Sequence, residues 1–260
     1  MADVPRGRFV WHELNTSDPA GAQAFYTTLV GWDTKTGPIA EMPYTEWVNG
    51  GTSVGGVMQL PEETKAAGAP PHWLAYVAVP SVDDTTAQAQ SLGSTVMAGP
   101  MDIPDVGRIA VLQDPQGAVF AVYTPSGDAP GHDGAPEVGE FSWHELLTTD
   151  HAAAFDFYAA LFGWVKMDAV EMGPLGTYQT YGRAGEAATG GMMNKPAEHP
   201  GPPAWLYYVR VPDVRATVEQ VKALGGLVLN GPQEVPDGGL VAQCLDPQGA
   251  AFAVHATKAA

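Results

Sequence analysis

The sequence predicts an α+β protein made of four βαβββ modules, arranged as two tandem domains. The sequence contains an internal repeat. The segment FVWHELNTSDPAGAQAFYTTLVGW (9–32) is similar to FSWHELLTTDHAAAFDFYAALFGW (141–164). DPQGAVFAV (114–122) likewise returns as DPQGAAFAV (246–254), at the same offset of 132 residues. Within each copy, a strand, a helix and several further strands follow one another twice. That order favours an α+β fold over a doubly wound parallel sheet.

The elements of the first module can be taken in order. GRFVWHELNT (7–16) alternates and is rich in β-formers, so it predicts a strand. Asp18 or Ser17 starts a helix, because the following Pro19 is tolerated in a first helical turn. Gly31 ends that helix. Its apolar residues recur at helical spacing: Ala22, Phe25, Tyr26 and Leu29.

The remaining elements of the first copy follow the same logic. Three strands complete the first module: WDTKTG (32–37), YTEWVNGG (44–51) and SVGGVMQLP (53–61). The pattern then restarts with the strand WLAYVAVP (73–80), the helix SVDDTTAQAQSLG (81–93) and the strands TVMAGP (95–100), GRIAVLQD (107–114) and AVFAVYTP (118–125). The Gly-Gly pairs at 50–51, 55–56, 190–191 and 225–226 are interpreted as turns at strand ends.

The segment between the two copies predicts the domain boundaries. TPSGDAPGHDGAPEVGE (124–140) is rich in Pro, Gly, Ala and Asp, which is typical of a linker. We therefore predict a first domain over 1–126, a linker over 127–137 and a second domain over 138–260.

Composition excludes several classes of function. The 260 residues carry 12 Lys plus Arg against 29 Asp plus Glu, a net charge of −17, and so acidic a surface repels nucleic acid. Cys244 is the one cysteine, so no intrachain disulfide or thiolate cluster can form. No stretch has the length and apolarity of a membrane span, and the start of the chain does not read as a signal peptide. We expect a cytoplasmic protein.

The motifs FYTTLVGW (25–32) and DPQGAVFA (114–121) resemble the vicinal oxygen chelate superfamily, which includes glyoxalase I, extradiol dioxygenases and bleomycin-resistance proteins. The tandem form, with WHEL at 11–14 and 143–146, is similar to an actinobacterial glyoxalase-like group labelled 27 kDa antigen or hydroxylase. The resemblance implies two glyoxalase-like domains, each with paired modules whose sheets curl into a cup.

The resemblance also implies where a metal would be held, because metal enzymes of the superfamily place up to four ligands in that cup. In the superfamily, the first ligand lies seven residues before the aspartate that precedes the helix. Counting back from Asp18 and Asp150 places this position at Trp11 and Trp143. The other positions fall at Met58 and Met193, Leu74 and Leu206, and Ala121 and Ala253. These side chains cannot replace His and Glu around a divalent ion. We expect neither a metal nor another cofactor in either half.

The two faces of the WHEL strand carry different candidates. Trp11, Glu13 and Asn15 share one face, whereas His12 lies on the other, under the helix, where we predict a structural role for it. His144 repeats His12 in the second half. Glu13 and Glu145, beside Trp11 and Trp143, are predicted to occupy partly apolar pockets that raise their pKa and suit a general base. A salt bridge, or a bond to a turn, is the open alternative.

Further candidates for ligand binding are spread along the chain. Arg108 becomes Leu240 in the second copy, so it could bind an anionic group in the first half only. A surface position is the open alternative. Tyr76 and Tyr208 could face a flat ligand, and Met58 and Met193 could line its site, although strand aromatics and methionines also fill cores.

Together these features predict a protein that binds a small aromatic or carbonyl-bearing metabolite in its cups without a metal. The resemblance to bleomycin-resistance proteins implies sequestration of a toxic compound, a role in detoxification. A glyoxalase-like lyase or isomerase that uses Glu13, and Glu145, as general base or metal ligand stays open, as does a scaffold without a ligand. The duplication suggests that one chain replaces a two-chain dimer, so we expect a monomer, with a homodimer as the alternative.

Overall fold

The computed structural model describes residues 4–37, 43–196, 201–236 and 238–258. The first module comprises β1 (Phe9–Thr16), α1 (Pro19–Val30), β2 (Asp33–Thr36), β3 (Tyr44–Asn49) and β4 (Thr52–Gln59), and a short helix α2 (Glu62–Ala66) follows it. The second module comprises β5 (His72–Ala78), α3 (Val82–Ser91), β6 (Thr95–Ile103), β7 (Gly107–Gln113) and β8 (Val119–Pro125).

The second half repeats this order. The third module comprises β9 (Phe141–Thr148), α4 (His151–Phe162), β10 (Val165–Glu171), β11 (Thr177–Gly182) and β12 (Ala188–Asn194), with a 3₁₀ turn over Gly173–Leu175. The fourth comprises β13 (Ala204–Arg210), α5 (Val214–Ala223), β14 (Leu227–Glu234), β15 (Leu240–Leu245) and β16 (Ala251–Ala256). The predicted α+β fold of four βαβββ modules is confirmed, and the short helix α2 was not predicted.

The strands form two mixed eight-stranded sheets, and each module contributes four neighbouring strands in one order. The strand orders are β2-β3-β4-β1, β5-β8-β7-β6, β10-β11-β12-β9 and β13-β16-β15-β14. The first strand of every module runs parallel to the last, and the hairpins between them are antiparallel. Register is conserved between the halves: Glu13 pairs with Gly56 and Glu145 with Gly191.

The long helices begin and end where their capping residues dictate. The Asp18 carboxylate accepts the N–H of Gly21 at 3.0 Å, and Gly31, with φ +85°, closes α1 in the left-handed region that disfavours side chains. In α4, Asp150 and Gly163 fill the same two roles. The predicted start and end of α1 are therefore confirmed.

The chain divides into two compact units, and each draws on both halves of the sequence. One contains residues 1–11, 74–131 and 143–205, and the other contains 12–73, 132–142 and 206–260. The predicted domains over 1–126 and 138–260 and the linker over 127–137 stay predictions. Among the described residues, no helix has the length and apolar character that a membrane crossing requires.

A buried hydrogen bond ties α4 to the closing turn of the first half. The Tyr158 hydroxyl donates to Asp114 Oδ2 at 2.9 Å and accepts the Trp205 indole N–H at 3.2 Å. The other carboxylate oxygen, Asp114 Oδ1, accepts the backbone N–H groups of the turn residues Gln116, Gly117 and Ala118. One aspartate thus fixes both its own turn and the helix of the other half.

The other unit repeats the arrangement with the halves exchanged. The Tyr26 hydroxyl donates to Asp246 Oδ2 at 3.2 Å and accepts the Trp73 indole N–H at 3.0 Å. Asp246 Oδ1 accepts the backbone N–H groups of Gln248 and Ala250. Burial, and then the charge of Asp246, raise the pKa of Tyr26, so the phenol keeps the proton that this bond requires. We call these bonds the Tyr–Asp ties.

Tyr158→Phe tests the first tie. The change leaves Asp114 Oδ2 and the Trp205 N–H without their partner, so we expect the free energy of unfolding to fall by about 1–3 kcal/mol. Chemical denaturation followed by circular dichroism measures it. Ser91→Ala, which removes an exposed hydroxyl bonded to the Gln88 carbonyl, is the control. A Tyr158→Phe variant as stable as that control would show that the tie does not stabilise the fold.

Candidate functional site

One face of each WHEL strand is committed to packing. His12, Leu14 and Thr16 are buried, and the His12 ring stacks on Phe141 with centroids 3.7 Å apart. His144 stacks on Phe9 at the same centroid distance. These contacts place both histidines among aromatic side chains and give them the structural role that the sequence predicts.

The chemistry of His144 agrees with that position. Burial lowers its pKa to about 4, so the ring is neutral near pH 7. Its Nδ1 lies 3.0 Å from the carbonyl oxygen of Thr189, which assigns the ring proton to Nδ1 as the donor.

The opposite face of β9 carries a directed chain of hydrogen bonds. The Trp143 indole N–H donates to the Tyr178 hydroxyl oxygen at 2.7 Å, and that hydroxyl donates to Glu145 Oε2 at 3.1 Å. Glu145 is only 8% exposed, whereas Trp143 and Tyr178 are half-buried. A carboxylate removed from water is costly unless it is hydrogen-bonded, and the phenol supplies such a bond. We call this set the Trp143–Tyr178–Glu145 chain.

A glycine makes room for that chain. Gly191 on β12 pairs with Glu145 on one side and with Thr180 on the other. Because Gly191 has no side chain, the Tyr178 ring lies across it, and a methyl group there would overlap the ring and its hydroxyl. In the first half Gly56 pairs with Glu13 and gives the same room to Tyr44. Both halves therefore place a tyrosine over a glycine that neighbours the candidate glutamate.

Two glutamates of the first half, Glu13 and Glu46, have polar side chains as partners. Asn15 Nδ2 donates to Glu13 Oε1 at 3.4 Å, which brings two candidate residues together. Glu46, which pairs with Gly56 across β3 and β4, forms an ion pair with Lys35 at 3.1 Å and accepts the Ser53 hydroxyl. Asn15 thus contacts Glu13, and Lys35 and Ser53 hold Glu46.

Two other candidates meet on the sheet of the second module. Tyr76 pairs with Ala121 and is buried in an apolar cluster against which Trp11 packs. The Tyr123 hydroxyl in the same cluster donates to the Val106 carbonyl at 2.8 Å, and burial raises its pKa. Tyr76 thus belongs to an apolar core cluster, and Trp11 packs against that cluster.

The structure places Arg108 apart from these groups. Its guanidinium binds Asp83, at the start of α3, through Nε at 2.7 Å, and Asp102 through Nη1 at 2.9 Å. The hydrogen bonds to these carboxylates hold the pKa of Arg108 above its ordinary value. This is the surface position that the sequence left open, and anion binding by Arg108 stays a prediction.

The remaining candidates lie on the last strands of their modules or on β13. Met58 is half-buried and pairs with Asn15, and Met193 is 8% exposed and pairs with Leu147. Tyr208 accepts the Gln243 side-chain N–H at 3.2 Å.

Sequence reasoning missed Tyr178 and Gly191 as parts of the site. The interpretation of Gly55–Gly56 and Gly190–Gly191 as turns is wrong: they lie inside β4 and β12, where Gly56, Gly190 and Gly191 each leave room for a tyrosine ring. Gly50 and Gly51 do form a turn, with φ +55° and +91°. The repeat marks these two positions, because Tyr44 and Gly56 recur as Tyr178 and Gly191, but it does not show which side chains they contact.

The donor set does not fit a divalent ion at the positions that the resemblance implies. Those positions hold indole, thioether and aliphatic side chains, and Ala121 and Ala253 are fully buried methyl groups. Within the described ranges, no three His, Cys, Asp or Glu side chains are grouped so that they could hold one metal ion.

A surface cavity of about 540 Å³ lies away from these residues, between the 114–116 turn and α4. Gln116 crosses this region: its Oε1 accepts the Thr148 hydroxyl and the Asp150 N–H, and its Nε2 donates to the Asp150 carbonyl. These bonds hold the start of α4. We therefore interpret the cavity as a structural feature of this packing and not as part of the candidate ligand site.

Comparison with known proteins gives matches along both halves. A family model described as Glyoxalase/Bleomycin resistance protein/Dioxygenase superfamily matches residues 140–254, and one described as Glyoxalase-like domain matches residues 11–123. The protein named "Putative glyoxylase CFP32" of Mycobacterium tuberculosis is 34% identical over 250 residues, covering 94% of this chain and 92% of the relative. The anthracycline biosynthesis protein DnrV of Streptomyces peucetius is 32% identical over 268 residues, covering 98% and 94%.

Solved structures share the fold at low identity. The Mn(II)-bound glyoxalase from Novosphingobium aromaticivorans has a TM-score of 0.68 at 16% identity, covering 98% of this chain and 83% of its own. Homoprotocatechuate 2,3-dioxygenase from Arthrobacter globiformis has the same TM-score at 14% identity, with coverages of 98% and 81%.

Gly191→Ala tests how the Trp143–Tyr178–Glu145 chain is built. The added methyl group overlaps the Tyr178 ring, so we expect the ring to move, the Trp143 emission spectrum to shift and stability to fall by about 1–3 kcal/mol. Fluorescence and chemical denaturation measure the two effects. Gly127→Ala is the matched control, because no atom lies near the methyl group it adds. An unchanged spectrum in Gly191→Ala would contradict this account of the chain.

Proposed function

The chain belongs to the glyoxalase/bleomycin resistance protein/dioxygenase superfamily, and from this premise we propose that it binds a small aromatic or carbonyl-bearing metabolite. The Trp143–Tyr178–Glu145 chain carries the proposal. It joins an indole face, which can stack on a flat ring, to a phenol and a carboxylate, which can orient a hydroxyl or carbonyl group.

The burial and hydrogen bonds of the Trp143–Tyr178–Glu145 chain support a binding role. A buried carboxylate contributes to stability only when its hydrogen bonds offset the loss of hydration, and an apolar residue would fill the same space at lower cost. Glu145 nevertheless sits at 8% exposure beside two half-buried aromatic side chains. Polar groups kept at such a cost, in defined orientations and next to partly exposed aromatic rings, are typical of ligand sites.

The relatives support an aromatic ligand. DnrV, which matches 98% of this chain, is named as an anthracycline biosynthesis protein, and anthracyclines are aromatic compounds that carry hydroxyl and carbonyl groups. The family description also names bleomycin-resistance proteins, and a binding role without turnover is compatible with that part of the family.

We propose that binding requires no metal. The side chains at the implied ligand positions lack the imidazoles and carboxylates that a divalent ion prefers, and His12 and His144 stack on phenylalanine rings on the other face of their strands. Recognition then depends on stacking and hydrogen bonds alone.

Binding of 1,8-dihydroxyanthraquinone tests the proposal, with tryptophan fluorescence quenching as the measurement. We expect saturable binding to the wild-type chain, weakened about tenfold by Trp143→Phe, because that change removes the N–H that holds Tyr178 and reduces the stacking surface. Arg108→Gln is the control and is expected to leave Kd within about twofold, since Arg108 pairs with Asp83 and Asp102. Absence of saturable binding to the wild-type chain would refute the proposal for aromatic ligands.

The Trp143–Tyr178–Glu145 chain also favours a second candidate function, a glyoxalase-type lyase or isomerase with Glu145 as general base. A general base must be held within hydrogen-bond reach of the proton that it removes, and the Tyr178 hydroxyl fixes one oxygen of Glu145. Glu13, which Asn15 orients, is its counterpart in the first half. The relative named as a glyoxylase is in keeping with this alternative.

Glu145→Gln separates the two functions. If the protein turns over methylglyoxal with a thiol, the variant should lose about 100-fold or more in turnover while its melting temperature is retained, because the amide cannot accept a proton. Glu46→Gln is the matched control, since that carboxylate is held by Lys35 and Ser53. Turnover by Glu145→Gln equal to that of the wild-type chain would remove Glu145 as the base, and a wild-type chain without turnover would leave binding alone.

A further inference from the structure

The fourth module repeats the strand register of the second. On β13, β16 and β15, Tyr208 pairs with Ala253, and Ala253 pairs with Gln243. The equivalent row on β5, β8 and β7 consists of Tyr76, Ala121 and Val111. The two backbones are matched position by position, so a difference between the two surfaces comes from the side chains.

In the second half these positions form a hydrogen-bonded group. Gln243 Nε2 donates to the Tyr208 hydroxyl at 3.2 Å, next to the small methyl group of Ala253. The Ser142 hydroxyl lies 3.1 Å from His255 Nδ1 and 3.3 Å from the Tyr208 carbonyl oxygen. Ser142, Gln243 and His255 are half-buried, and Tyr208 is 4% exposed. We call these four residues the polar face.

In the first half the equivalent positions are largely apolar. Val10 replaces Ser142, Val111 replaces Gln243 and Tyr123 replaces His255. Val10, Tyr76 and Tyr123 are buried in one apolar cluster, and the hydroxyl of Tyr123 is bonded to the Val106 carbonyl.

The comparison shows that the polar face is not needed for the fold. The first half forms the same strands in the same register with valines at two of the four positions. Burying a polar side chain is unfavourable unless hydrogen bonds offset the cost, whereas a valine packs without such bonds. The polar side chains are therefore not required for this strand arrangement, which makes the polar face a candidate for ligand recognition.

The chemistry of the polar face indicates what it would recognise. A hydroxyl, a phenol, an amide and an imidazole can each donate and accept hydrogen bonds, and three of the four carry no charge near neutral pH. A charged ligand would call for Arg, Lys or a carboxylate in this set. We propose that the polar face binds the hydroxyl and carbonyl oxygens of a neutral, flat ligand, and that the equivalent surface of the first half does not. The inference rests on the proposed function, because the ligand belongs to the class proposed above.

Paired probes and paired variants test the inference. The probes are 1,8-dihydroxyanthraquinone and 9,10-anthraquinone, which lacks the hydroxyl groups. We expect Tyr208→Phe and Gln243→Val each to raise Kd for the dihydroxy probe about five- to tenfold, since each removes one hydrogen-bonding group, and to change Kd for anthraquinone less than about twofold. Tyr76→Phe is the matched control in the first half and is expected to leave both values unchanged.

Each outcome decides between the inference and the function on which it rests. Binding that is equal in the wild-type chain, Tyr208→Phe and Gln243→Val would overturn the inference and leave the proposed function standing. Loss of binding in Tyr76→Phe would show that the first half binds the probe, and this result would also overturn the inference. A wild-type chain that binds neither probe would refute both. If Tyr208→Phe does not fold, Gln243→Val still decides, because Val111 shows that valine suits this strand position.

Discussion

The Tyr–Asp ties are the interactions on which the rest of the structure depends. Tyr26 reaches Asp246, and Tyr158 reaches Asp114, so the first helix of each half is bonded to the closing turn of the other half. Each aspartate also accepts the backbone N–H groups of its own turn. The two most recognisable motifs of the sequence therefore contact each other: the tyrosine of FYTTLVGW is hydrogen-bonded to the aspartate of the repeated DPQG turn. This explains why compact units assemble from pieces of both halves.

With the helix side of each sheet used for this packing, the alternation of strands assigns the other side chains. His12 and His144 stack on Phe141 and Phe9, and the residues next to them in sequence point away from that packing. Trp143 and Glu145 therefore lie on the same face of β9, opposite the face that carries His144. The same alternation separates Arg108 from the other candidates and leaves it with Asp83 at the start of α3.

Most of the fold could be predicted from the sequence, because the repeat, the helical spacing and the capping residues are local signals. Asp18 and Gly31 bound α1 as their types predict. The partners within the site could not be predicted, since they depend on strand register. Tyr178 meets Glu145 only because β11 and β12 place Gly191 between them, and nothing local in the sequence reveals that pairing. The composition of the two compact units was also beyond reach, because the Tyr–Asp ties join residues more than 40 positions apart.

In the function that we propose, this member of a family with metal enzymes recognises its ligand by stacking and hydrogen bonds alone. The most direct measurement is the affinity for 1,8-dihydroxyanthraquinone after exhaustive dialysis against a chelator, with metal content determined on the same sample by plasma mass spectrometry. We expect far less than one equivalent of metal per chain and an unchanged Kd. Binding that is lost on dialysis and restored by Mn²⁺ or Zn²⁺ would contradict it and would make Glu145 and Glu13 the first residues to examine as ligands.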